Sequence, residues 1–365
     1  MWGLDTPGSW CLARLVDNRQ SSPGAVDNST RTDVKVCGTR NAADMNTTID
    51  INDVFRGSVA KAHGYVTAAE LRGPRFRRLF QDVYVPAHVP VTHELRCRGA
   101  ALIVPKEAVL TGRSAATVLG VELAKPYDPV EFVVPEAHRF GPIKGIHVRR
   151  TEVKPKESRP WNGIRIARPW RIALDLVLRL SPRVHGWVRR LRIAVPDLDA
   201  FVRSGRVTVT KLRRTWRGRR NRGIRLARAA LSMVDPRAES LPESELRVVL
   251  RAGGFDPIPQ YSITRKGREV ARLDLVLEDT KTAVEYDGRW HRSRRNIRRD
   301  KARRKRLMTE GWNFVIVTAE KLAGDHRRIL EEVRRAQFRR GLPGTSRSRR
   351  CRVFSARAAN SSSGG

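Results

Sequence analysis

The sequence predicts a mixed α+β chain of several domains, and three observations carry that reading. Residues 52–90 run as short amphipathic segments followed by alternating, strand-like residues. Residues 91–235 are mostly helical in pattern, with a few short strands between. Beyond residue 237 the order becomes helix, strands, helix, strand. A length of 365 residues is enough for two or three domains with real cores. The 40% of hydrophobic residues argues against wholesale disorder.

Charge is the strongest global signal. The chain has 73 Lys and Arg against 37 Asp and Glu, a formal net charge of +36. Such a field attracts polyanions, of which nucleic acid is the commonest in a cell. Arginine richness also follows from a GC-rich coding composition, so the charge by itself names no site. Cys11, Cys37, Cys97 and Cys351 are scattered, with neither metal-ligand spacing nor a disulfide framework, which fits a reducing cytoplasm. No run approaches the roughly 18 apolar residues of a membrane span, and the first residues lack a signal-peptide pattern. The expectation is a cytoplasmic protein without a membrane partner.

Residues 1–51 mix Ser, Asn, Thr, Asp and Gly with isolated apolar residues and show no sustained period. Met45 is therefore expected to be the natural start, with residues 1–44 a mis-assigned or floppy arm. Val54, Phe55, Val59 and Ala60 then suggest a short helix ending near His63 and Gly64. Thr67 and Glu70 have capping-box spacing for a second. Residues 75–79 are read as a third helix, and residues 79–85 alternate like a strand that stops at Pro86. Three helices followed by a β-ribbon is the order of a winged helix-turn-helix, assigned to 52–90.

In the middle region, residues 95–102 and 114–119 read as helices, and 130–134 and 146–148 as strands. Residues 170–180 form a helical pattern that stops at Ser181-Pro182, and a basic helical stretch covers 189–231. His138, His147 and His185 are isolated, so no catalytic cluster is expected there. The strings GYVTAAEL, RLFQDVYV, AVLTGRSAATVLGVEL and GIRIARPWRIALDL, in this order, resemble the AbiEi-type antitoxin and transcriptional-regulator architecture of many actinobacterial proteins. That resemblance implies a small α/β domain over 91–235, DNA binding by 52–90, and a toxin or neighbouring-operon partner.

Ser240, with Glu243 three residues on, opens a helix whose buried stripe is Leu246, Val249 and Leu250. Residues 255–261 read as a turn-rich connector and 270–277 as a strand holding one acid, Asp274. A turn at 278–281 leads to a strand over 282–286. A long basic helix over 294–310, capped by Gly311, precedes a buried strand at 312–317 and a last helix over 324–339. This order is the common core of restriction-endonuclease-like folds, so residues 238–340 are expected to form an α/β domain of that type. Residues 341–365 read as a disordered basic tail.

Asp274 and Glu285 lie eleven residues apart on successive strands, so a hairpin brings their carboxylates together. Glu285 and Asp287 project from one face of theirs. Clustered carboxylates repel unless a cation sits among them, and oxygen-only clusters suit Mg²⁺ or Mn²⁺. Such an ion activates water and neutralises charge on a phosphate.

SLPESELRVVL, ARLDLVL, AVEYDGRWH and RRDKARRKRLMTEGWNFVIV together resemble the very-short-patch-repair (Vsr)-like nuclease domain, also labelled domain of unknown function 559, of the PD-(D/E)xK superfamily. The resemblance implies that Asp274 and Glu285 ligate the metal, that His291 is the family's histidine after the glycine, and that Glu243 is its first-helix acid. Asp300 and Arg303 match a repeated acid and base, with Leu307 and Gly311 as structural positions. Asp287 stands where many superfamily members carry a catalytic lysine. His291 could replace that lysine as general acid or base, or Asp287 could hold a second metal or orient His291.

Between Arg289 and Arg306, eleven of eighteen residues are Arg or Lys. Arg289, Arg292, Arg294, Arg295, Arg298, Arg299 and Arg303 are the expected phosphate contacts, and Trp290 is expected to pack beside the core or stack on a base. Two functions stay open: a Mg²⁺-dependent endonuclease acting on DNA (or RNA), delivered by the N-terminal domain, and a DNA-binding regulator or antitoxin-like protein with an idle nuclease fold.

Overall fold

The computed structural model describes residues 49–138, 140, 142–180, 185–288 and 294–338, with the side chains of 294–297 excepted. Among the described residues the chain is mixed α/β, with twelve α-helices and three separate sheets. None of these helices is long and apolar enough to cross a membrane.

The first sheet has three strands, β1 (Phe55–Arg56), β2 (Phe76–Phe80) and β3 (Val83–Pro86), with β3 in the middle. Helices α1 (Gly57–Ala62) and α2 (Ala68–Arg72) lie between β1 and β2. The expected capping box forms: Glu70 N donates to Thr67 Oγ1 at 3.1 Å, and Thr67 N to Glu70 Oε2 at 2.8 Å. The third helix expected over 75–79 is a strand, and the single strand expected over 79–85 is a hairpin. Phe76 and Phe80, both buried, are four residues apart, and that spacing shares one face in a helix and in a strand alike. What decides is the turn at Gln81 and Asp82, where Asp82 takes a left-handed φ of 61°. Its carboxylate then accepts from Ser58 N at 2.6 Å, tying the hairpin to the start of α1.

The middle region builds a five-stranded mixed sheet in the order β6-β5-β4-β8-β7. Its strands are β4 (Val109–Leu110), β5 (Val130–Val134), β6 (Ile146–Arg150), β7 (Ser158–Trp161) and β8 (Ile164–Ala167). Helices α3 (His93–Ala101), α4 (Gly112–Val118) and α5 (Pro169–Leu178) accompany them. The basic stretch that follows is three helices, α6 (Trp187–Arg203), α7 (Val209–Trp216) and α8 (Ile224–Met233). A large core runs from Phe80 and Val83 through Phe132, Ile166 and Leu174 to Phe201 and Trp216.

Helix α9 (Leu241–Ala252) starts at Ser240, whose Oγ accepts from Glu243 N at 3.3 Å. Val248 belongs to the large core, while Leu246, Val249 and Leu250 belong to the next one. The helix is thus apolar on two sides and serves both cores. Two ion pairs fix it to α6: a partly exposed one from Arg192 to Glu245 at 2.5 Å, and a fully buried one from Arg247 to Asp199.

The last sheet has the order β12-β11-β10-β9. Strands β9 (Ile258–Arg265), β10 (Arg268–Leu277) and β11 (Thr282–Asp287) form an antiparallel meander. Helix α10 (Arg294–Thr309) then crosses over to β12 (Asn313–Thr318), which pairs parallel to β11. Helices α11 (Ala319–Ala323) and α12 (His326–Phe338) end the described chain. Leu275, Leu277, Val284, Val315 and Val317 pack against α9 and α12, while Ala271, Leu273, Val276 and Ala283 pack against Leu307 of α10. Helices therefore cover both faces of the sheet. Strand β9 replaces part of the turn-rich connector expected over 255–261. It lies at the sheet edge, where Pro259 needs no N–H for an outer neighbour.

Candidate active site

The meander places the two acids expected to act together directly across from one another. Leu275 pairs with Val284, so the same register sets Asp274 opposite Glu285. Asp274 also sits at an irregularity on its other side. The β9–β10 ladder pairs Leu273 with Tyr261 and Leu275 with Pro259, and between them Gln260 adopts a left-handed φ of 53°. Across this point the core side of β10 changes, because Leu273 packs toward α10 and Leu275 toward α9 and α12. A left-handed backbone costs a non-glycine residue about 1–2 kcal/mol. Gln260 gains a compensating contact, as its Nε2 donates to Glu243 Oε2 at 2.8 Å.

Asp274 is half-buried, and its Oδ2 accepts from Tyr286 N at 3.0 Å. Its pKa is pushed up from 3.8 to about 6. Burial is the largest cause and the charge of Glu243 the next; Glu285 adds to it, while the Tyr286 N–H and Arg303 pull the other way. Three acids from α9, β10 and β11 therefore share one electrostatic neighbourhood.

The partners of the other two acids are internal. Glu285 is buried and held by α10: Arg303 Nη2 donates to Oε1 at 3.0 Å and Arg304 Nε to Oε2 at 2.7 Å. Arg303 also donates to the Arg272 carbonyl at 2.8 Å. Glu243 accepts from Ser240 Oγ at 2.8 Å, from Glu239 N at 3.1 Å and from Gln260. Among the described residues, no group of three or more His, Cys, Asp and Glu side chains closes on a common metal position. As a donor set Asp274 and Glu285 are still all-oxygen and suit a hard divalent cation. Asp274 has a carboxylate oxygen outside its one hydrogen bond, whereas Glu285 would have to exchange a guanidinium for the ion.

The remaining expected residues divide. Asp287 is half-buried at the end of β11. His291, Arg289, Arg292 and Trp290 lie outside the described residues, as do the side chains of Arg294 and Arg295. Arg298 and Arg299 are exposed on α10. Arg303, expected on a phosphate, instead serves the buried Glu285, because a desolvated carboxylate requires a charged partner. Leu307 is fully buried under the sheet, and Gly311 takes φ 91° where α10 ends.

Two residues at the site were missed. Arg304 was hidden inside a uniform basic run, although its place one residue after Arg303 was a usable signal. Gln260 was masked by the flanking Pro257 and Pro259, which argue locally for a loop.

No family model matches this chain. Two uncharacterized proteins of Mycobacterium tuberculosis, MT2308 from strain CDC 1551 / Oshkosh and Rv2248 from strain ATCC 25618 / H37Rv, are each 35% identical over 163 residues. Each match covers 43% of this chain and 59% of the relative, so the chain spans less than two thirds of the relative's length. A crystal structure of the RV2827C protein from Mycobacterium tuberculosis aligns with a TM-score of 0.33 at 18% identity, covering 54% of this chain and 75% of the other. That likeness is too low to assign a fold.

Proposed function

We propose that the C-terminal region of this chain, residues 238–340, is a restriction-endonuclease-like unit that hydrolyses phosphodiester bonds in DNA with Mg²⁺ or Mn²⁺. The winged-helix-like segment 52–90 delivers it to its target. The observation that carries this reading is the Asp274 carboxyl, raised by burial and by the charges of Glu243 and Glu285, at a point of β10 facing the left-handed Gln260. A core strand gains nothing from such repulsion, and a bound cation would remove it. Asp274 and Glu285 are the residues that would hold the ion, which supplies charge neutralisation and an acidified water.

The chain's own groups complete the arrangement. Arg303 and Arg304 place two guanidinium charges beside Glu285, from which one can turn to a phosphate oxygen. Arg298 and Arg299 present exposed charge on the same helix for a DNA backbone. Asp274, pushed up to about 6 in the metal-free protein, would be held ionised as a ligand once the cation binds.

A second reading is favoured by one specific contact. Both oxygens of Glu285 are already occupied by arginines, an arrangement that suits a DNA-binding regulator with an idle nuclease fold. Plasmid DNA with Mg²⁺ or Mn²⁺ separates the two. The nuclease reading expects nicking or cutting that Asp274→Ala and Glu285→Ala each abolish. Retained cleavage in both variants refutes the site. No cleavage, together with salt-dependent binding that survives both substitutions and is lost with 52–90, establishes the regulator.

A further inference from the structure

A basic recess in the middle region has no part in the site above. It is a cleft of about 620 Å³ lined by Lys154, Lys156, Lys211, Arg219 and Arg220 together with Trp170. The carboxylates at its wall are Glu152 and Glu157, so cations outnumber them. Glu157 is also spent internally: it is buried, it accepts from Arg171 Nη1 at 2.7 Å, and it pairs with Arg219. Lys154, Lys156, Lys211 and Arg220 have no carboxylate partner among the described residues.

Two of the cations are held in place. Arg219 is fixed through Glu157 and through Asn221 Oδ1, which accepts from its Nε at 3.1 Å. Lys211 Nζ stands 5.1 Å and Arg168 Cζ 5.8 Å from the centroid of the Trp170 ring, so the ring already carries two cation–π contacts and holds the ammonium in place. Behind them, Arg171 and Asp175 are both about 1% exposed and bonded to one another at 2.8 Å, and Asp175 also accepts from Thr111 Oγ1 at 2.7 Å. A fixed buried network thus backs a wall on which Arg219 is paired with Glu157, while Lys154, Lys156, Lys211 and Arg220 have no carboxylate partner among the described residues. Holding like charges together in a recess has a Coulombic cost that a bound anion removes.

We infer that this cleft binds the backbone of single-stranded nucleic acid, with phosphates on Lys211, Arg219 and the flanking Lys154 and Arg220. A duplex carries its phosphates on a broad convex surface and keeps its base faces stacked inside. A single strand is narrow and flexible enough to enter a recess and bring successive phosphates to its cationic wall. The inference is independent of hydrolysis and of the acids on the last sheet.

The test is fluorescence anisotropy of the full chain with a labelled oligothymidylate and with a labelled duplex, in EDTA so that cleavage plays no part. The variant Lys154→Gln/Lys211→Met/Arg220→Gln removes three charges and keeps the aliphatic packing of Lys211 on Trp170. The control Lys144→Gln/Arg189→Gln/Arg328→Gln removes three exposed charges elsewhere. The cleft variant is expected to bind the single strand at least about 10-fold more weakly and to lower the salt slope by about 2, at roughly 0.7 per phosphate contact. The control is expected to keep its slope, and both variants to keep the parent melting temperature. Equal losses in the two variants would mean that diffuse charge does the binding and overturn the inference. So would a loss confined to the duplex.

Discussion

Replacing Asp274 by Asn tests the electrostatics of the carboxylate cluster without any assumption about catalysis. In metal-free protein at about pH 8, Asp274 is ionised while half-buried beside Glu243 and Glu285. Burial first, and then those two charges, hold its pKa at about 6 against an ordinary 3.8. At 1.36 kcal/mol per pH unit the gap corresponds to about 3 kcal/mol, and solvent screening at a half-buried group lowers the expected effect to about 1–3 kcal/mol. The sign follows from proton linkage. The native state binds this proton more tightly than the unfolded chain, so stability falls as pH rises from about 4 to about 6, and the full cost is present above that window. Asparagine is neutral, has nearly the same shape, and its Oδ1 can accept the Tyr286 N–H. Asp274→Asn is therefore expected to be more stable than the parent by about 1–3 kcal/mol at about pH 8, the difference vanishing near pH 4. Urea unfolding in EDTA at both pH values, with unchanged m-values, measures it. A variant no more stable than the parent at the higher pH, or an equal difference at both, refutes the reasoning.

Other expectations follow from the packing. Arg247→Met leaves Asp199 buried without its cation, and should cost about 3–5 kcal/mol in urea unfolding near neutral pH. Burial already raises the Asp199 pKa, so this deficit should shrink as the pH falls, and Arg247→Met/Asp199→Leu should recover most of it. Leu307→Ala opens a cavity where α10 meets the sheet and should cost about 2–5 kcal/mol. By loosening α10 it should also speed hydrogen exchange in that helix, while exchange in α9 stays near the parent rate.

Much of the chain was legible because its local signals agree with its packing. The Thr67 and Ser240 caps, the apolar stripe of α9 and the strands β10 and β11 all appear where pattern places them. The failures have physical causes. Phe76 and Phe80 fit two periods, and the hairpin turn that selects the strand is set by Asp82 reaching back to Ser58. Strand β9 contains a proline and a left-handed glutamine, which are loop signals unless the edge position and the contact to Glu243 are known. At the site, Asp274 and Glu285 were legible as a pair because hairpin register is local. The arginines on Glu285 were not, since eighteen and nineteen residues and a helix crossover separate them from it.

Those arginines change how Asp287 is read. In the sequence, the resemblance to PD-(D/E)xK domains leads one to expect a lysine two residues after Glu285, where this chain has an aspartate. In the fold, positive charge beside Glu285 comes from α10 instead, through Arg303 and Arg304. Guanidinium can neutralise a carboxylate or grip a phosphate, but it stays protonated throughout the physiological range and cannot accept a proton from water. At a cleaving site, charge and proton transfer, which one lysine can combine, would thereby be divided between different groups. Burial first, and then the charge of Glu243, raise the Asp274 carboxyl in the metal-free protein, and a cation bound there would hold it ionised as a ligand. Glu243 in turn is positioned by Gln260 and Ser240. The chemistry would then rest on the contact between α9 and the irregular edge of the sheet as much as on the acids of the hairpin.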